Sequence, residues 1–264
     1  MDFGIAGKVA FVSGGSKGIG RQCAEQLAHE GCRVVVAARG QAAIDEAVAT
    51  IRAAGGEAVG VAVDLTLEQE VLRAVDVARD AFGPPDIVLT NVHGPGPGDF
   101  FDHGGEEFVQ AFRDLALSVI FLARATLPSM KEKGWGRLVT IGSGAAKEPP
   151  AELKHILANT ARASVVSLNK SLSNEFAQYG ITVNTIATGW IGSERMYQYL
   201  DHVAQEKGIG REGAMSMLKD LIPAGRPGKP EEIASLATYL CSQQAAYMSG
   251  NLLTVDGGLH RSAW

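Results

Sequence analysis

Lys8-Val9-Ala10-Phe11-Val12-Ser13-Gly14-Gly15-Ser16-Lys17-Gly18-Ile19-Gly20 decides the fold of this chain of 264 residues. Lys8 to Val12 is an apolar run that reads as a buried strand. Cys23, Ala24, Leu27 and Ala28 follow at helical spacing. The glycines therefore sit at a strand-to-helix turn, where the pyrophosphate of a dinucleotide rests on unpaired backbone N–H groups at a helix N-terminus. A side chain at these positions would block the approach of backbone to phosphate. Gly14, Ser16, Lys17, Gly18, Ile19 and Gly20 are the expected contacts.

Outward from this turn, apolar β-branched runs alternate with amphipathic stretches. Strands are expected at 8–13, 33–38, 57–63, 86–90, 136–142, 181–187 and 251–255, and helices at 18–30, 41–54, 67–82, 105–132, 152–178 and 230–242. Runs such as Arg33-Val34-Val35-Val36-Ala37-Ala38 are continuously apolar, as in strands covered by helices on both faces. The β-α alternation argues an α/β fold with a doubly wound parallel sheet of about seven strands, one Rossmann-type domain spanning 1–264. The formal charge of −5 comes with no basic cluster, so no nucleic-acid partner is expected. No run approaches the ~20 apolar residues of a membrane span, and no signal peptide is visible. Cys23, Cys32 and Cys241 form no CxxC pair and read as reduced core residues of a cytoplasmic protein. No metal site is expected.

Two segments interrupt the rhythm: 94–104, rich in Gly and Pro, and 190–229, holding Trp190, Met196, Tyr197, Tyr199, Leu200, Met215, Met217, Leu218 and Leu221. Both follow C-terminal strand ends, where open α/β sheets bind ligands. The segment 190–229 reads as an irregular substrate lid, or else as a surface excursion or subunit contact.

Further motifs follow in order. These are Asp64-Leu65; Asp86-Ile87-Val88-Leu89-Thr90-Asn91; Ile141-Gly142-Ser143; Tyr179-Gly180-Ile181-Thr182-Val183-Asn184; Gly225-Arg226-Pro227-Gly228-Lys229-Pro230; and Val255-Asp256-Gly257-Gly258. With Ser13-Gly14-x-x-x-Gly18-Ile19-Gly20 they make a chain that resembles the short-chain dehydrogenase/reductase family over nearly its whole length, most closely its 3-oxoacyl-carrier-protein reductase-like members. The resemblance implies a nicotinamide cofactor and a homotetramer or homodimer. It assigns the apolar last strand Leu252-Leu253-Thr254-Val255 and helices 105–132 and 152–178 to subunit contacts.

NAD-selective folds of this kind carry an acid about 20 residues past the glycine turn. Here the strand ends Ala37-Ala38-Arg39. Arg39 and Lys17 suit a 2′-phosphate, and one charge-assisted hydrogen bond of ~1.5–3 kcal/mol gives about tenfold to hundredfold preference. NADP(H) is the expected cofactor. By resemblance, Asp64 and Leu65 flank the adenine, Asn91 touches the adenosine ribose region, Ile191 and Ser193 meet the carboxamide, and Arg162 lies near the nicotinamide ribose.

The family's chemistry uses a Ser, a Tyr and a Lys four residues after the Tyr. Ser143 stands at the Ser position. Counting back from Lys170-Ser171-Leu172 places the Lys at Arg162 and the Tyr at Ala158, so this chain resembles a divergent subgroup without the Tyr-x-x-x-Lys pair. No tyrosine lies between Ser143 and Tyr179. Leu115 takes the place of a helical Asn, and His93 that of a Gly. Alanine has no proton to donate, and arginine is a poor proton carrier, though its charge can stabilise an alkoxide. His155 and His93 titrate near neutrality and are the proton-donor candidates; Lys147, Lys154, Tyr197 and Tyr199 are weaker ones. The expected activity is NADP(H)-dependent reduction of a hydrophobic ketone, or oxidation of its alcohol, with Ser143, Arg162 and His155 as catalytic residues. A cofactor-binding regulatory protein without redox turnover and a non-redox lyase or dehydratase are the alternatives.

Overall fold

The computed structural model describes residues 2–150 and 154–262. The strands are β1 (Val9–Ser13), β2 (Arg33–Ala38), β3 (Glu57–Ala62), β4 (Ile87–Thr90), β5 (Gly136–Ile141), β6 (Ile181–Thr188) and β7 (Leu252–Val255). They form one parallel sheet in the order β3-β2-β1-β4-β5-β6-β7. The chain winds outward from β1 to β3, then returns to β4 beside β1. A crevice opens at that switch point, beyond the C-terminal strand ends.

Strand alternation feeds two helical layers. Ala10, Val12, Val34, Val36, Ile87 and Leu89 pack under α1 (Gly18–His29), α2 (Gln41–Ala53) and α9 (Pro230–Cys241). Phe11, Val35, Ala37 and Val88 face the other way, toward α3 (Glu68–Phe82) and α5 (Ser118–Lys133). The inner strands β1, β2, β4, β5 and β6 are buried on both faces and their sequences are accordingly largely apolar runs, whereas the edge strands β3 and β7 are partly exposed.

Three expectations need correction. The stretch 105–132 is not one helix: α4 (Gly105–Phe112) and α5 are joined by a π-type turn at Arg113–Leu117. The wider turn seats Leu115 against Ala111, Leu157, Ala158 and Ala161. The Ser118 hydroxyl donates to the Asp114 carbonyl at 2.8 Å, satisfying a group that the regular ladder releases. The next helix, α6, runs Ile156–Phe176, and Ala177–Tyr179 tighten into a 3₁₀ turn; the expected residues 152 and 153 lie outside the described residues. The segment 190–229 is not irregular. It holds α7 (Glu194–Lys207) and α8 (Arg211–Leu221), which bury Met196, Leu200, Ala204, Ala214 and Leu218 between them. Those side chains recur four residues apart, the spacing of one helix face.

The two ends of this segment are fastened together: Gly192 N–H donates to Gly228 O at 2.8 Å and Gly228 N–H to Trp190 O at 2.9 Å. The other interrupting segment is tied to the start of α6 by Gly98 N–H donating to Lys154 O at 2.6 Å, and by the Lys154–Asp99 ion pair at 2.7 Å. Among the described residues no helix is long and apolar enough to cross a membrane.

Candidate active site

The turn after β1 is closed by the end of β4. Asn91 N–H donates to the Ser13 hydroxyl at 2.9 Å. Gly14 has φ +59°, and a Cβ there would stand 2.4 Å from Asn91 O. A Cβ on Gly20 would stand 2.1 Å from Gly14 O and 2.8 Å from the Asn91 side-chain amide. Asn91 thus occupies the space that the glycines leave. No side chain caps the N-terminus of α1. Its first amides carry no side-chain cap, and Gly18, where a Cβ would meet only Ser193 at 3.8 Å, leaves the approach to them open, so the turn fits a dinucleotide pyrophosphate.

Around this turn, Ser16 and Leu65 are buried, while Lys17, Gly18 and Arg39 are exposed. Lys17 Nζ lies 3.3 Å from Glu194 of α7. Asp64 accepts from the Thr66 amide at 3.0 Å and the Thr66 hydroxyl at 2.8 Å, which hold its carboxyl below the usual range; the positive charge of Arg39 adds to this. No acid faces Arg39 from the end of β2, so the rim is open to a phosphate.

Beyond the ends of β4, β5 and β6 lies a cavity of about 20 Å³. Ser143, Arg162, Leu115, Thr90, Thr140 and Thr185 are among its walls. The structure thus brings Ser143 and Arg162 to one place. Ser143 Oγ accepts from the Ala145 amide at 3.3 Å, which leaves the hydroxyl proton available to a ligand. Ala158 and Leu115 share one apolar cluster beside it. Beneath, Asn169 donates to Thr140 Oγ1 at 2.8 Å and Thr185 Oγ1 at 2.9 Å, and Thr90 donates to Thr140 at 2.8 Å. Sequence reasoning missed this network; its signal was hydroxyls at the ends of apolar strand runs.

His155 is not among the cavity walls. It precedes α6, with its ring centroid 5.7 Å from that of Tyr199, which is itself 5.1 Å from Trp190. His155 Nδ1 is buried without a hydrogen-bond partner. Arg195 of α7, also missed from sequence, reaches the facing loop, where its Nη2 donates to Pro95 O at 3.2 Å. Ile191 is buried at the start of 190–229 and Ser193 precedes α7. Tyr197 is exposed, and Lys147 borders a separate cavity of about 190 Å³ with Asp256 and His260.

Arg162 and Arg195 dominate the charge here, with Asp114 acting on His93 and Glu206 on Tyr199. Burial, then the nearby charge of Arg195, brings Arg162 down to about 10; it stays cationic at neutral pH. Burial lowers Arg195 as well. His155 and His93 are pushed below the ordinary imidazole value, first by burial, then by Arg195. Burial raises Tyr199.

Comparison with known proteins fits this geometry. A family model described as Enoyl-(Acyl carrier protein) reductase matches residues 14–260. The 3-oxoacyl-[acyl-carrier-protein] reductase FabG of Vibrio cholerae is 32% identical, over 97% of this chain and 98% of its own. The short-chain reductase protein NovJ of Streptomyces niveus is 32% identical, over 95% and 93%. The crystal structure of L-sorbose reductase from Gluconobacter frateurii, complexed with NADPH and L-sorbose, superposes with a TM-score of 0.94 at 30% identity, covering 99% of this chain and 100% of its own. The chain belongs to the short-chain dehydrogenase/reductase family of oxidoreductases.

Proposed function

We propose that this protein is an NADPH-dependent ketoreductase that works without the family's phenol and lysine. The observation that carries the reading is the shared cavity of Ser143 and Arg162, set at the switch point next to a glycine turn with uncapped amides. NADPH binding is supported by Arg39 and Lys17, with Arg39 rather than an acid at the end of β2, and by NADPH in the L-sorbose reductase structure. Gly14, Ser16, Gly18, Ile19, Gly20, Asp64, Leu65, Asn91, Ile191 and Ser193 complete the cofactor contacts. When bound, NADPH supplies the hydride that, with one proton, converts a carbonyl to an alcohol.

The residues divide the remaining work. Ser143 donates its free proton as a hydrogen bond to the substrate carbonyl oxygen. Arg162 holds a fixed positive charge where negative charge develops on that oxygen. Ala158 cannot supply a proton; His155, one turn earlier and outside the cavity walls, delivers it by way of a water. Leu115, Trp190 and Tyr199 offer apolar surface to a hydrophobic substrate body. Assembly as a homotetramer or homodimer belongs to the same reading, supported by the partly exposed edge strand β7.

The test follows NADPH oxidation across cyclic, aromatic and 3-oxoacyl ketones, for the wild type and Ser143→Ala. Turnover that falls about 100-fold in Ser143→Ala with unchanged NADPH affinity supports the proposal. NADPH binding with no turnover on any carbonyl favours the regulatory reading instead.

A further inference from the structure

Arg162 and Arg195 approach one short stretch of backbone from two different elements. Arg162 extends from α6, and its Nη2 lies 3.4 Å from where a Cβ on Gly94 would stand. Arg195 extends from α7, and its Nη2 donates to the Pro95 carbonyl at 3.2 Å. Both guanidiniums therefore approach Gly94-Pro95, close enough that the charge of Arg195 acts on Arg162, and Arg162 and Leu115 also line the cavity that holds Ser143. Leu115 reaches the same point, 3.5 Å from the Gly94 Cβ position.

Among the described residues neither arginine has a carboxylate partner. Glu194 pairs with Lys17, Asp99 with Lys154, and Asp114 accepts from the Gln110 amide. Two partly buried like charges repel each other and have lost much of their hydration. An anion between them removes both penalties. His155, close enough to feel both charges, has its Nδ1 buried and unpartnered.

We infer that Arg162 and Arg195 form a carboxylate-binding fork and that the substrate is a 2-oxo or 3-oxo acid. This rests on the reductase reading above. The carboxylate lies across the two guanidiniums, the carbonyl oxygen accepts from Ser143, and the apolar body lies against Leu115, Trp190 and Tyr199. Arginine suits this role because its planar fork of donors matches a carboxylate edge, and its five N–H groups can serve carboxylate and carbonyl oxygen together. The reduction adds one hydride to the carbonyl carbon and one proton to its oxygen, giving a hydroxy acid with the carboxylate unchanged. The bound negative charge also offsets the cations that depress His155, so the imidazole keeps its proton closer to neutral pH.

The experiment compares an aliphatic 3-oxo acid with its methyl ester at saturating NADPH, in wild type, Arg195→Gln and Arg195→Lys. The acid should be preferred by about 100-fold in kcat/KM. Arg195→Gln should lose that preference through KM, with NADPH affinity within about twofold of wild type, the span a fraction of one contact allows. Arg195→Lys should recover part of it, since it keeps the charge and loses the fork. An ester reduced as well as the acid by wild type overturns the inference and leaves the reductase reading standing. So does an Arg195→Gln variant whose main defect is NADPH binding, because the arginine would then serve a cofactor phosphate. If no carbonyl compound is reduced, the reductase reading fails. Calorimetry of hexanoate with the NADP⁺-saturated protein then decides the fork separately: binding abolished by Arg195→Gln supports it, and no binding to wild type overturns it.

Discussion

Arg137 and Arg162 are both withdrawn from solvent, at opposite edges of the sheet, and they are treated in opposite ways. Arg137 lies at the N-terminal edge, where its guanidinium donates to Ser242 O at 3.1 Å, Gly136 O at 2.8 Å and Gly180 O at 3.2 Å. Its guanidinium carbon also lies 4.3 Å from the Trp135 ring centroid. Arg162 lies at the C-terminal edge and makes no hydrogen bond or ion pair among the described residues. A structural cation is satisfied by the protein itself, whereas a cation kept for a ligand is not. The same chemical group therefore reports which edge holds the fold together and which does the work.

The sharpest way to break this contrast is to remove each charge. Arg137→Met removes the side-chain donor from the carbonyls of buried Ser242 and Gly136 and should cost at least about 2 kcal/mol. In a chain of this size that lowers the melting temperature by about 4–8 °C. Arg162→Met removes an uncompensated charge, so its melting temperature should hold or rise. Its reductase activity should nonetheless fall by about 100-fold or more. Differential scanning calorimetry and NADPH oxidation on both variants check the pair. A destabilised Arg162→Met would place that arginine with the structural group.

The glycine turn allows a second contrast within the C-terminal edge. A Cβ on Gly20 would stand 2.1 Å from a backbone oxygen, whereas one on Gly40 would meet nothing within 4 Å. Gly20→Ala must move backbone, and a displacement of about 1 Å in a positioned site costs about 100-fold. NADPH affinity, read by fluorescence titration, should fall by that factor in Gly20→Ala and hold in Gly40→Ala.

Legibility in the sequence follows the same division. The sheet, both helical layers and the glycine turn were readable because they depend on local spacing: Val34 and Val36 against Val35, or Gly14 against Gly20. The helices of 190–229 have a signal in the four-residue spacing of Met196, Leu200 and Ala204, but their place between a strand and the next expected helix argues an irregular excursion instead. Arg195 was not readable. Its role depends on α7 folding back over Pro95, a contact 100 residues distant along the chain. Nor was the π-type turn that seats Leu115 beside Ala158, because packing against α6 sets it rather than any residue preference within 113–117.

The cofactor rim tests whether the two exposed cations, Arg39 and Lys17, serve the 2′-phosphate. Arg39→Glu replaces the attraction with repulsion and supplies an acceptor for ribose hydroxyls. NADPH affinity should fall about tenfold to hundredfold. NADH affinity should rise, and parallel titrations of the two cofactors read the switch.

His155 ties stability and activity to pH with opposite signs. Its folded value lies below the ordinary 6.5, mainly from burial, then from Arg195 and Arg162; Tyr199 packs on its other side. Between the folded and unfolded values the unfolded chain binds more protons. The stability contribution is therefore complete above pH 6.5 and is lost as pH falls through the folded value. On the proposed proton delivery by His155, reduction needs the imidazolium, so above the folded value it should quicken about tenfold for each unit that pH falls. His155→Gln should flatten both profiles, and His93→Gln should leave the rate profile intact. A rate profile unchanged in His155→Gln removes that residue from proton delivery.

The smallest effect concerns the link between the two parts of the C-terminal edge. Lys17 Nζ lies 3.3 Å from Glu194 Oε2, which joins the cofactor turn to the first turn of α7. Both side chains are exposed, so the pair is worth about 0.2–1 kcal/mol and weakens with salt. Glu194 competes with a 2′-phosphate for the same ammonium. Glu194→Gln should therefore tighten NADPH binding by about 1.4-fold to fivefold at low salt, the range that energy allows, and leave NADH unchanged. The gain should vanish near 1 M salt, where the Debye length shrinks to about 3 Å. An equal gain for both cofactors would mean that the mutation acts by loosening α7, and that Lys17 does not read the phosphate.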